Sequence, residues 1–163
     1  MVVACAVLFA AIAGCGVGTG GSDMGPTITS RQAIDHVEAM IAEAIAQLPD
    51  GAQRSTYSSY DDLDCLIGGY DDGTVYVEHA YAIEGIPADA ASHQAYFDTF
   101  KRYWQRRGYR EIGDRGRKGR EVRYEDRDRF EITLTTITHE GALVIKGRSP
   151  CIWPNGTPEP KRD

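Results

Sequence analysis

Residues 74 to 83 constrain the fold more than any other stretch. Val75, Val77, His79, Tyr81 and Ile83 alternate with Tyr76, Glu78, Ala80 and Ala82. Successive side chains of a strand point to opposite faces. The pattern therefore predicts a strand over Thr74 to Ile83 with one buried face and one partly wet face. A sheet of such strands needs covering on one side only. Two segments have the pattern to cover it. Ile34, Val37, Ile41, Ala44, Ile45 and Leu48 recur at steps of three and four, which makes one apolar stripe on a helix. Thr29 stands three residues before Gln32, a capping-box spacing, and Pro49-Asp50-Gly51 ends the helix. A second helix is expected over Ala90 to Arg107, opened by Pro87 and Asp89. Its apolar side is Tyr96, Phe97, Phe100, Tyr103 and Trp104, with Gly108 at its end.

The remaining segments read as strands and turns. Arg54 to Tyr60 is a polar strand leading into a loop. Tyr109 to Ile112, Glu121 to Tyr124, Phe130 to Ile137 and Ala142 to Gly147 are strands, with turns at 113–119, 126–129 and 139–141. The expected fold class is α+β. It is a two-layer sandwich, an antiparallel sheet of about five or six strands with both helices packed on one face. The order along the chain is helix, two strands, helix, four strands. The chain shows no internal repeat of usable length.

The N-terminal segment has a different character. Residues 2–13 form an apolar run without charge, long enough for a signal-peptide core and too short to span a bilayer as a helix. Ile12-Ala13-Gly14-Cys15 follows and looks like a lipobox, in which the thiol takes a diacylglyceryl group and the chain is cut before the cysteine. The competing readings are an ordinary secretory signal or a buried apolar segment. No Lys or Arg precedes the run, so either a start further upstream or the amino terminus alone supplies the positive charge. The expected organisation is a signal peptide over 1–14 and a flexible Gly-rich tether over 15–27. A single α+β domain follows over 28–152, with a disordered Pro-rich tail over 153–163. Two or more acyl chains on Cys15 would hold such a protein firmly on a membrane, in an extracytoplasmic location.

Of the four cysteines, Cys5 leaves with the signal and Cys15 is consumed by lipid. Cys65 and Cys151 remain and are expected to pair in an oxidising compartment. Such a bond would contribute roughly 4 kcal/mol on a chain-entropy model. Two buried free thiols are the alternative. No zinc spacing is present and no metal or other cofactor is expected.

Charge is unevenly spread in a chain of net charge −6. Residues 1–100 hold 14 acidic and 2 basic side chains, whereas residues 101–129 hold 12 basic and 6 acidic. Arg115, Arg117, Lys118 and Arg120 share one glycine-spaced turn. They are candidates for contact with an anionic surface, either lipid headgroups or a wall polymer. The competing reading is a solvated turn whose arginines pair with Glu111, Asp114, Glu121 and Asp126. An export signal and a negative total argue against nucleic acid as a partner.

Asp61, Asp62, Asp64, Asp71 and Asp72 crowd around Cys65 without the ligand spacing of a calcium loop. His36, His79, His93 and His139 fall on different elements. His79, on the inner face of its strand, could serve as a general base or ligand, but reads first as a hydrogen-bonded core histidine. Ser58 and Ser59 lack a Gly-x-Ser-x-Gly context. The aromatic side of the second helix reads as core ahead of a ligand cleft, and Trp153 is expected to pack under the disulfide.

The order of these features resembles the small actinobacterial lipoproteins of the mycobacterial LppA type. The residues that carry the resemblance are Ile-Ala-Gly-Cys at 12–15, Asp-Cys-Leu at 64–66, a helix ending in Gly-Tyr at 108–109 and Pro-Cys-Ile-Trp-Pro at 150–154. The resemblance covers nearly the whole mature chain. It implies fold and location, and it brings no catalytic residues with it. The function expected first is therefore a non-enzymatic envelope protein that binds another protein or a wall polymer. A carrier of a lipid or other apolar ligand comes second, and a hydrolase using His79 or His139 last.

Overall fold

Helix α1 (Ser30–Ile45) begins where the capping box places it. The Thr29 side chain accepts from the Gln32 N–H at 3.3 Å, and Gln32 Oε1 accepts from the Thr29 N–H at 3.0 Å. Helix α2 (Ala90–Arg106) is capped by Asp89, whose carboxylate accepts the Ala91 and Ser92 N–H groups. Each side chain takes up donors that the first helical turn leaves without a partner. In the computed structural model, residues 27–67, 70–115, 120–137 and 142–158 are described.

Six strands follow from the alternating segments. They are β1 (Gln53–Ile67), β2 (Tyr70–Glu84), β3 (Arg110–Arg115), β4 (Glu121–Glu125), β5 (Glu131–Ile137) and β6 (Ala142–Arg148). They form one antiparallel sheet in the order β1-β2-β6-β5-β4-β3. The expected α+β sandwich is therefore observed, with six strands in the expected sequence order. Helix α2 provides the one long connection, carrying the chain from β2 to β3 at the far edge. Strands β3 to β6 then return as a meander and close against β2.

The register explains which face is buried. His79, Gly147 and Ile132 lie opposite one another across β2, β6 and β5, as do Tyr81, Ile145 and Leu134. Directly paired residues share a face. Val122 and Tyr124 of β4 extend this face through their pairing with Leu134 and Ile132. Both helices cover it. Gly147 lets α1 sit close to the sheet, because a Cβ there would come within 2.9 Å of Val37 Cγ1 and 3.1 Å of Ile41 Cδ1. From α2, Phe100 stacks on Trp104 at 5.1 Å, and Trp104 packs on Tyr124 at 5.2 Å. The aromatic side of α2 is thus core. The opposite face carries charged pairs, among them Arg123–Glu131 at 2.6 Å and Lys146–Glu78 at 3.4 Å.

Two expectations need correction. The polar strand expected over Arg54 to Tyr60 continues to Ile67, because its backbone keeps pairing with β2 through three bulges. The stretch from Trp153 to Pro158, expected as part of a disordered tail, is held in place. Trp153 and Gly156 are buried. Pro154 and Gly156 carbonyls accept from the Ser30 and Thr27 N–H groups, and Thr27 Oγ1 accepts from the Trp153 N–H at 2.8 Å. Residues 159–163 lie outside the described residues.

Candidate functional site

Five polar side chains from three elements meet where α1 crosses β1 and β2. His79 of β2 is buried at the centre. Its Nδ1 lies 2.7 Å from Glu38 Oε1 of α1, and its Nε2 lies 2.9 Å from Asp61 Oδ1 of β1. Asp61 is two residues along β1 from Ser59, the strand partner of His79. Tyr81 follows His79 on the same face and donates to Glu38 Oε1 at 2.7 Å. Arg54 donates to Glu38 Oε2 at 2.9 Å, with its guanidinium 4.5 Å above the Tyr81 ring. Burial alone would raise the Glu38 carboxyl. Hydrogen bonds from Tyr81, His79 and Arg54 outweigh it and hold Glu38 below the ordinary glutamate value. Tyr81 is pushed up, first by burial and then by the Glu38 carboxylate.

This geometry locks α1 to the sheet. A carboxylate only accepts hydrogen bonds. Both contacts of His79 are therefore met when each ring nitrogen carries a hydrogen. Neither of these ring contacts is to a hydroxyl or a thiol. The expected core histidine is observed, with a partner set that the sequence reading lacked. Glu38 lies outside the apolar stripe of the first helix, and Asp61 reads in the sequence only as one of a crowd of acids.

A polar groove of about 480 Å³ opens between α1, the end of α2 and the β4–β5 turn, lined by His36, Met40, Glu43, Arg107, Tyr109 and Asp126 among others. Its polar side chains bond one another. Glu43 Oε2 accepts from Tyr103 and Arg107, and Asp126 Oδ2 bonds His36 Nε2 at 3.0 Å. The other Asp126 oxygen accepts the Asp128 and Phe130 N–H groups and so shapes the turn. Tyr109 is pushed up to about 12, first by burial and then by the nearby Asp126 charge, and stays a donor at neutral pH.

The other expected residues distribute as follows. Cys65 and Cys151 form a disulfide with Cα atoms 6.1 Å apart. Trp153 is buried, with its ring close to Gly73. Cys15 lies outside the described residues, as do Arg117, Lys118 and His139. Arg115 closes β3, and Arg120 rests its guanidinium 5.0 Å above the Phe97 ring. Three of the acids read as partners for this turn have contacts among the described residues. Asp114 binds Lys101 at 2.5 Å, Glu111 accepts from Tyr124 and Asp126 binds His36. Asp62 accepts from Ser30. Among the described residues, no group of His, Cys, Asp and Glu is arranged to hold a metal ion, and no helix is long and apolar enough to cross a membrane.

No family model, no curated protein and no solved structure matches this chain.

Proposed function

We propose that the chain is an exported lipoprotein, held on the outer face of a membrane by a lipid on Cys15, and that its domain is a non-enzymatic binding module of the cell envelope. The observation that carries this reading is the Cys65–Cys151 disulfide. A structural disulfide belongs to an oxidising compartment. Export is also what the apolar run and Ile12-Ala13-Gly14-Cys15 imply. Likeness to the LppA-type lipoproteins is part of the same proposal. The surroundings of His79 favour binding over hydrolysis, since both ring nitrogens lie beside carboxylates instead of a hydroxyl or thiol nucleophile. The partner is an envelope protein or a wall polymer, and the groove beside Tyr109 is a recess open to it.

Labelling cells with radioactive palmitate tests the anchor. The wild-type chain is expected to take up label and to partition into detergent, and Cys15→Ala to do neither. Undiminished labelling of Cys15→Ala would refute the anchor. Crosslinking on intact cells followed by affinity capture tests the binding role. Recovery of one envelope protein or wall polymer is expected, and repeated recovery of neither would count against it.

A further inference from the structure

We propose that β1 is a self-association edge, on which two copies of this chain pair antiparallel and continue the sheet across a two-fold axis. Strand β1 ends the strand order, so its outer backbone groups face no other described strand. Such an edge is a template for another strand unless it is protected. The two edges of this sheet differ in that respect. Strand β3 is six residues long and carries Arg110, Glu111, Asp114 and Arg115. Strand β1 is fifteen residues long, and its run Ser55-Thr56-Tyr57-Ser58-Ser59-Tyr60 has no charge, proline or glycine.

Exposed apolar side chains gather on this same edge. Among the described residues, the large exposed hydrophobics are Tyr57 at 56 %, Tyr60 at 48 %, Leu66 at 67 % and Ile28 at 36 %. The first three stand on β1. Ile28 stands two residues before Ser30, which donates to Asp62 of β1. Apolar surface gathered along one strand marks a contact site, whereas the same residues scattered singly would mean little.

Charge selects the occupant and its direction. Arg54 flanks the neutral run on one side, and Asp61, Asp62 and Asp64 flank it on the other. Within its own chain Arg54 bonds Glu38, Asp61 bonds His79 and Asp62 bonds Ser30. An antiparallel second copy sets each Arg54 beside the other chain's acidic flank as well, twice by symmetry. A parallel copy would set acid against acid, which is destabilising. One register shift falls at Tyr57, inside the neutral run, and the next follows Tyr60, so the unbroken stretch open to pairing is Ser58 to Tyr60.

The test uses the full chain in cells, with Tyr57 or Tyr60 replaced one at a time by the photo-crosslinker p-benzoylphenylalanine. Irradiation is expected to give a band at twice the chain mass from both positions, and none from the same group at Glu111 on β3. In detergent extract, light scattering is expected to find two chains per particle for wild type and one for the Tyr57→Lys/Tyr60→Lys variant, with an unchanged circular dichroism spectrum. Absence of the doubled band, or adducts only with a different protein, would overturn the proposal. So would an equal dimer band from Glu111. The crosslinking result stands even if the double variant fails to fold, and it reads pairing whether or not Cys15 carries a lipid.

Discussion

At the scale of single residues, Glu38 does more than any other polar side chain to place α1. It accepts from His79, Tyr81 and Arg54 at once, and so joins the helix to β1 and β2. Glu38→Gln keeps the shape and removes the charge that three donors share. The expected loss is about 2 kcal/mol at neutral pH, read from urea unfolding, since hydrogen bonds to a charged group are the stronger kind. The loss is expected to depend on pH. Glu38 is held below its ordinary value, so the unfolded chain takes up this proton before the folded one does. Its contribution is complete above the ordinary glutamate value of 4.5 and is lost as pH falls through its own lowered value. The gap between wild type and Glu38→Gln is thus expected to close in that acid window. A constant gap from neutral to acid pH would mean that the cluster acts through shape alone.

At the scale of elements, the distance between α1 and the sheet is set by the missing side chain of Gly147. Gly147→Ala places a methyl 2.9 Å from Val37 and 3.1 Å from Ile41, in a packed core. Overpacking of this kind costs about 1–3 kcal/mol. The matching substitution Gly113→Ala meets only Arg123, at 3.7 Å, and is expected to be close to neutral in the same thermal melts. Similar losses at both positions would show that the strands dislike any added side chain. Legibility also divides at this scale. Strands β2, β4, β5 and β6 could be read from alternation, because one face is buried and the other wet. Both helix starts could be read from capping residues, since a cap is a local bond. The far half of β1 could not. Asp61, Asp62 and Asp64 have no apolar alternation, and what makes them strand is pairing with β2. The His79 cluster was hidden for a related reason. Glu38 and His79 are 41 residues apart in sequence, and no local pattern links them. The order of Trp153 to Pro158 was hidden too, because it depends on bonds to Thr27 and Ser30 at the other end of the chain.

At the scale of the whole molecule, the Cys65–Cys151 bond closes a loop spanning 86 residues and ties β1 to the segment after β6. Replacing both cysteines by alanine is expected to lower stability by roughly 4 kcal/mol, read from denaturant unfolding. Hydrogen exchange is expected to quicken at Ile152, Trp153 and Gly156, whose N–H groups lie in that segment. Unchanged exchange at those amides would show that the segment holds by packing alone. The bonds between Thr27 and the stretch from Trp153 to Gly156 also have a topological consequence. Among the described residues, the first ones and the last ones therefore meet at one seam. A domain suspended from the Thr27 side would therefore turn the stretch from Trp153 to Gly156 toward the same side.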